Sequence, residues 1–289
     1  MKKIGILIIS LFATISMTDV SAQTNAFYVN NNNVSMTEEQ YDYLLNFYTN
    51  DNIAEMTQSK FDKEFNNQLV LKKTDNKYIK TITNIDENGQ SSSTDIEITK
   101  EEYDNPITTY ATCTEGVSVD CWDTSYKRLT LTAWVGTGSE SDSMRIVILN
   151  SWKTMPSVRS YDVIGVRYVN YTPSTAWGDQ STISENNGRR SVSYSYNGSN
   201  MNIKSNGIGI SQNLIDDASI YYLENRIVIE GKTTSSTLGI YGSYQHAKKT
   251  VTLAQSKNYN FGNGLGGVFS FNSGIGSNYD GMQGVKFVY

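Results

Sequence analysis

KRLTLTAWV, residues 127–135, decides the fold. Leu129, Leu131, Ala133 and Val135 fall at alternate positions, and Trp134 is the one large apolar residue on the other face. A period of two is the mark of a strand with one apolar face. The stretches that follow have the same character: MRIVILNSW, VRSYDVIGVRYV, SVSYSY, IYYLENRIVIE, TLGIYGSYQ, KTVTLAQ, GGVFSF and GVKFVY. Val, Ile, Thr and Tyr fill them, while Gly, Asn, Ser and Asp separate them, as strand and turn chemistry require. MRIVILNSW lacks strict alternation, which fits a strand covered on both faces. About ten short strands over about 165 residues predict an antiparallel β-sandwich or jelly-roll-like domain.

Upstream the pattern differs. MTEEQYD, MTQSKFD and ITKEEYD begin at Met36, Met56 and Ile98. Each places Thr before acids and an aromatic, which reads as a repeated helix start. Thr37 and Gln40 form a capping box, and Tyr41, Leu44, Leu45 and Tyr48 then share one helical face. Asn52 and Glu55 suggest a second cap. Thr57 opens a helix carrying Phe61 and Phe65, and Thr99 opens a third. Between these helices, Tyr78–Thr83 and Ser93–Ile98 alternate as a hairpin pair. The joining residues nearly match a calcium loop through Asn84, Asp86, Asn88, Gly89 and Asp95. The flanking strands and the Asp in place of a bidentate Glu favour the hairpin.

Charge divides the chain in the same place. Residues 23–104 hold 15 acids against 7 bases, and residues 105–289 hold 13 against 15. The expected architecture is therefore mainly β: a small acidic α+β N-terminal unit (23–104), then an all-β body (105–289). No basic stripe is dense enough to read nucleic acid.

Residues 1–22 read as a signal peptide. Lys2 and Lys3 precede the apolar run Ile4–Ile15, and Val20-Ser21-Ala22 offers a cleavage point after about Ala22. A secreted, extracellular protein is expected. Cys113 and Cys121, close in CTEGVSVDC, then predict a disulfide. Neither a His nor a further Cys lies nearby, so no metal site is expected there.

Catalytic motifs are sparse. His246 is the one histidine of 289 residues. No G-x-S-x-G elbow accompanies it, and its setting, YGSYQHAKK, reads as a strand histidine. Asp162 and Glu230 sit within apolar strands and are the candidates for a hydrolytic carboxylate pair. The glycine string 262–267 lacks the Lys-Ser/Thr and following helix of a phosphate loop, so no cofactor is expected. The 20 tyrosines are the most suggestive feature. Tyr194 and Tyr196 on one strand, with Tyr241, Tyr244 and His246 on another, are the candidate ligand-binding residues, since aromatic rings stack on sugars or lie at membrane interfaces. Residues 233–253, rich in Ser, Thr and Gly and free of acids, could instead form a membrane-inserting hairpin.

The N-terminal pattern N-x-V-x-MT-x-E-x-Y-x-x-L, then MT-x-x-x-F, NKYIKTITNIDENGQ and ITKEEYD, with SYDVIGVRY, YSYNGSNM and YGSYQHA later, resembles a group of exported proteins of low-GC Gram-positive bacteria. The resemblance implies secretion and brings no activity or catalytic residues with it. The expected function is non-enzymatic recognition of a cell-surface or envelope component such as a glycan. The alternatives are a β-type pore former acting on a lipid membrane and a carboxylate-dependent hydrolase.

Overall fold

The computed structural model describes residues 27–66, 69–85, 91–106, 121–137, 141–262, 268–272, 274–280 and 283–288. The expected signal peptide, the hairpin turn with most of the calcium-loop residues, and Cys113 lie outside them. So does the expected disulfide, and the described residues form none among themselves.

The chain opens with a short strand pair, β1 (Tyr28–Val29) and β2 (Ser35–Met36), followed by α1 (Glu38–Leu45), α2 (Asn50–Ala54) and α3 (Gln58–Asn66). Thr37 caps α1 as expected. Its hydroxyl accepts the Gln40 N–H at 3.2 Å, and the Gln40 side chain accepts the Thr37 N–H at 2.9 Å. The second cap is Thr49 rather than Asn52, accepting the Asn52 N–H at 3.1 Å. Asn52 lies inside the helix, because a Thr three residues earlier already covers the orphan donor. Thr99 caps α4 (Lys100–Asp104) in the same way.

The hairpin β3 (Val70–Ile85) and β4 (Ser91–Ile98) pairs Tyr78 with Ile98 and Thr83 with Ser93. Beyond it come β5 (Cys121–Val135), β6 (Ser143–Thr154), β7 (Tyr161–Val169), β8 (Tyr171–Ser184), β9 (Gly188–Tyr194), β10 (Met201–Lys204), β11 (Gly207–Asn213), β12 (Ile220–Thr233) and β13 (Gly239–Gln245). The end of the chain supplies α5 (Leu253–Ser256), β14 (Tyr259–Phe261), β15 (Phe269–Phe271) and β16 (Gln283–Val288). KTVTLAQ was expected as a strand. Its second half is helical instead, because Thr252 and Gln255 form a capping box.

Two antiparallel sheets form the sandwich. The larger has the order β4-β3-β5-β6-β12-β8-β9 and the smaller β10-β11-β7-β13-β16. Leu129, Leu131 and Ala133 of β5, with Ile146, Ile148, Ile227 and Ile229, form the inner face of the larger sheet. They meet Ile164, Val166, Ile208, Ile210, Ile240 and Phe287 of the smaller. Trp134 points the other way, into a second core where Leu44, Phe47, Tyr48, Ile53 and Phe61 pack on Val147 and Val228. The helices therefore cover the outer face of the larger sheet. This explains why β6 lost its alternation: both its faces are covered.

The hairpin expected in the front unit is part of the same sheet. β3 pairs with β5 from Val70–Val135 to Ile85–Cys121, so hydrogen bonds cross the 104/105 boundary that the charge change suggests.

The smaller sheet has its own outer cover. Gly165, Gly207 and Gly209 leave sockets in its face, and Phe269, Phe261 and Tyr259 of the β14–β15 hairpin fill them. A Cβ at Gly207 would fall 2.4 Å from the Phe261 ring, and one at Gly209 would fall 2.4 Å from the Tyr259 hydroxyl oxygen. Glycine is required there for close approach of another layer.

Candidate functional site

The five candidate ligand-binding residues do not share a surface. Tyr241 and Tyr244 are three apart on β13 and so face opposite ways. Tyr241 packs into the outer cluster, with the Arg167 guanidinium 3.9 Å from its ring centre. Tyr244 is buried in the main core, where Tyr194 and Tyr196 pack against its edge. His246 is buried as well. The expectation of open aromatic platforms on β13 is corrected: both rings are interior, because the strand is covered on each face.

Two of the five do meet, around Asp162 of β7. The Tyr244 hydroxyl donates to Asp162 Oδ2, the Ala247 N–H donates to Oδ1 at 2.8 Å, and His246 Nδ1 lies 3.0 Å from both oxygens. The Trp152 indole N–H donates to the Tyr244 oxygen at 3.2 Å, and its ring meets the His246 ring edge-on. Burial first, and then the Asp162 charge, push the Tyr244 hydroxyl well above the usual tyrosine range. Every partner is interior, so the cluster is a polar clasp inside the sandwich and no substrate reaches it. The candidate pair is not a pair. Asp162 belongs to this clasp, whereas Glu230 lies on the outer face of the other sheet.

Glu230 lines a cleft of about 550 Å³. One wall is the end of α3, with Lys63 and Glu64. The floor is the outer face of β6, β12 and the start of β8. In the floor Arg145 and Glu230 are cross-strand partners, so both side chains rise from the same face. Arg145 bridges two carboxylates: Nη1 donates to Glu64 Oε2 at 2.8 Å, and Nη2 donates to Glu230. Glu64 also accepts from the Tyr48 hydroxyl at 2.7 Å. The Arg145 guanidinium stacks 4.3 Å from the centre of the Phe47 ring. The rim carries a Lys232–Asp142 ion pair at 3.2 Å and the exposed Thr172 and Ser174. Leu69 and Pro173 supply apolar lining.

Compared with known proteins, the chain matches no family model and no curated relative.

The sequence carried little signal for this cleft. Arg145 breaks the apolar run of MRIVILNSW, and Glu230 closes IVIE. A charged residue on the covered side of a buried strand is the clue, but its partner Glu64 lies 81 residues away.

Residues 233–253 hold no free hairpin. Residues 239–245 are β13, hydrogen-bonded to β7 on one side and β16 on the other, with all seven residues buried. Extracting them would open the smaller sheet along its length. No helix among the described residues is long and apolar enough to cross a membrane.

The outer face holds one further buried acid, Asp179 of β8, cross-strand to Arg226. Burial raises its pKa to about 6, against the pull of Arg226, whose Nε is 3.9 Å away. The folded pKa exceeds the unfolded value near 4. The folded state therefore keeps the proton longer, and the stability linked to Asp179 falls as pH rises from about 4 through 6. Asp179→Asn removes this dependence. Relative to the wild type, its melting temperature is expected to gain as pH goes from about 4.5 to 7.5. A difference between the two proteins that stays constant with pH, measured by thermal circular dichroism, would contradict this.

Proposed function

We propose that the protein is a secreted recognition module that binds a polyhydroxylated envelope component, such as a glycan, in the cleft between α3 and the outer face of β6, β12 and β8. The observation that carries the reading is the bridged trio Glu64–Arg145–Glu230. Both carboxylates are committed to the same guanidinium, and Glu64 also accepts from Tyr48. A hydrolase needs one acid free to donate a proton and a second to act as base or nucleophile. A trio tied up in this way suits a preset binding surface better than a reacting one. Glu230 keeps a quarter of its side chain exposed, and its remaining acceptor capacity can receive a hydroxyl. The rim hydroxyls of Thr172 and Ser174, the Lys232–Asp142 ion pair, and the apolar lining at Leu69 and Pro173 complete a mixed surface suited to sugars. The resemblance to exported proteins supports the location.

The test is binding of the purified protein to isolated cell-wall polysaccharide, followed by calorimetry. Ser174→Trp fills the cleft from an exposed position. It is expected to abolish binding while leaving the melting temperature within about 2 °C of wild type, as surface changes do. Glu230→Gln is expected to weaken binding about tenfold, the loss of one charge-assisted hydrogen bond. Undiminished binding by Ser174→Trp would remove the cleft as the site. Released sugar fragments would replace recognition with hydrolysis.

A further inference from the structure

Lys127 of β5 is the most unusual lysine in the protein. Its side chain is 1% exposed, in the interior between the two sheets. The ammonium contacts Asp280 Oδ2 and lies 3.3 Å from Asp95 Oδ2, and both of those side chains are equally buried. The three residues come from separate parts of the fold. Asp95 sits on β4 and reaches past β3, where the Thr81 hydroxyl donates to its other oxygen at 2.7 Å. Asp280 lies just before β16 and is fixed to the end of β13. Its N–H donates to the His246 carbonyl at 2.9 Å, and its own carbonyl accepts from the Gln245 side chain at 3.3 Å. Its Oδ1 accepts the His246 backbone N–H at 2.9 Å. The rings of Trp152 and Tyr244 wall the ammonium at 5.5 and 5.9 Å.

An ion pair alone needs one carboxylate. Here an amine, a carboxyl whose oxygens face different partners, a backbone N–H donor and a second carboxylate converge in a site closed to water. We propose that Lys127 and Asp280 are joined by an amide between Nζ and Cγ, formed within the folded chain, with Asp95 carrying the protons.

The chemistry balances. The ammonium gives a proton to the Asp95 carboxylate. The freed lone pair attacks Cγ of the protonated Asp280, and the His246 N–H steadies the negative charge that develops on Oδ1. The Cγ–Oδ2 bond then breaks as its hydroxyl takes a second proton from the nitrogen, relayed through Asp95, and leaves as water. Asp95 ends protonated beside the new amide, so no oxidant, reductant or outside base is needed. Burial raises the Asp280 carboxyl to about 6 despite Lys127, which brings the protonated acid within reach near neutral pH. Burial also works to lower the Lys127 pKa, but the two carboxylates outweigh it and hold the ammonium form. Freeing the amine therefore requires a proton acceptor in contact, and Asp95 supplies it. Enclosure favours the condensation, because held partners react as if at very high concentration.

The test is the intact mass of the purified full chain, denatured and reduced, followed by peptide mapping. The wild type is expected to be lighter than its sequence by one water, with Lys127 resistant to trypsin and its peptide linked to the one containing Asp280. Asp280→Ala and Lys127→Arg are expected to show full sequence mass. Asp95→Ala keeps both reacting groups and is also expected to show full mass, while far-ultraviolet circular dichroism reports whether it has folded. Wild-type chains at full mass, with a free Lys127 peptide, would overturn the proposal without any variant. So would a lost water mapped to another position. A linked Asp95→Ala protein would overturn the role given to Asp95. None of these readouts depends on ligand binding, so the result stands apart from the recognition reading.

Discussion

Asp162→Ala is expected to lower stability by about 3–5 kcal/mol, the cost typical of breaking a buried charged cluster. Asp162 is the acceptor shared by the Tyr244 hydroxyl, the Ala247 N–H and His246 Nδ1. Removing it leaves at least two interior donors without partners, each worth about 1–3 kcal/mol. No water enters to replace it unless the sandwich opens. At about 2–4 °C per kcal/mol for a chain of this size, the melting temperature should fall by roughly 10 °C. Scanning calorimetry of the variant beside the wild type measures this directly. The sign carries the information. A catalytic carboxylate held against its own burial would yield a neutral or stabilised variant when removed. A loss under about 1 kcal/mol would mean that Asp162 is not the keystone described here.

Arg145→Met should be the other large loss, again about 3–5 kcal/mol. Met keeps much of the volume against Phe47 but takes from the buried Glu64 of α3 its guanidinium partner. Because Arg145 ties α3 to the β6–β12 floor, the helical layer should loosen before the sandwich does. Hydrogen exchange should therefore show lost protection first in residues 58–66. The double variant Glu64→Gln/Arg145→Met should recover part of the loss, because the stranded charge is gone. A double variant as unstable as the sum of its singles would show that the two side chains do not interact.

The sandwich was legible because its signals are local. Alternation in KRLTLTAWV put Leu129, Leu131 and Ala133 on one face and Trp134 on the other, and each lies where that reading expected it. Helix starts at Thr37, Thr57 and Thr99 were legible for the same reason. β8 was missed, because Pro173 and Gly178 interrupt its pattern. Pro173 sits beside a bulge in the pairing with β12, and Gly178 leaves the space that the Ile210 side chain occupies. Of the cleft, Glu230 was legible as a charge within an apolar strand, but its grouping with Arg145 and Glu64 was not. Tyrosine clusters suggested platforms, but β13 is covered on both faces, so its aromatic rings went inward. Arg145 with Glu64, and Lys127 with Asp95 and Asp280, are brought together by strand order. Single-strand periodicity holds no information about which strands become neighbours.

Strand order has a consequence for how the chain can fold. β6 waits for β12, which follows it in the chain only after β7 to β11. β7 likewise waits for β13, and β13 for β16 at the far end of the chain. Until those late strands arrive, the larger sheet is split between β6 and β8, the smaller one ends at β7, and the apolar strands β6 and β7 have open edges. Folding of this kind is dominated by distant pairings and runs on a scale of milliseconds to seconds. A chain released end-first would spend that interval as a sticky, unpaired β-surface. Holding it extended until β16 is free would let both sheets close together and avoid that hazard.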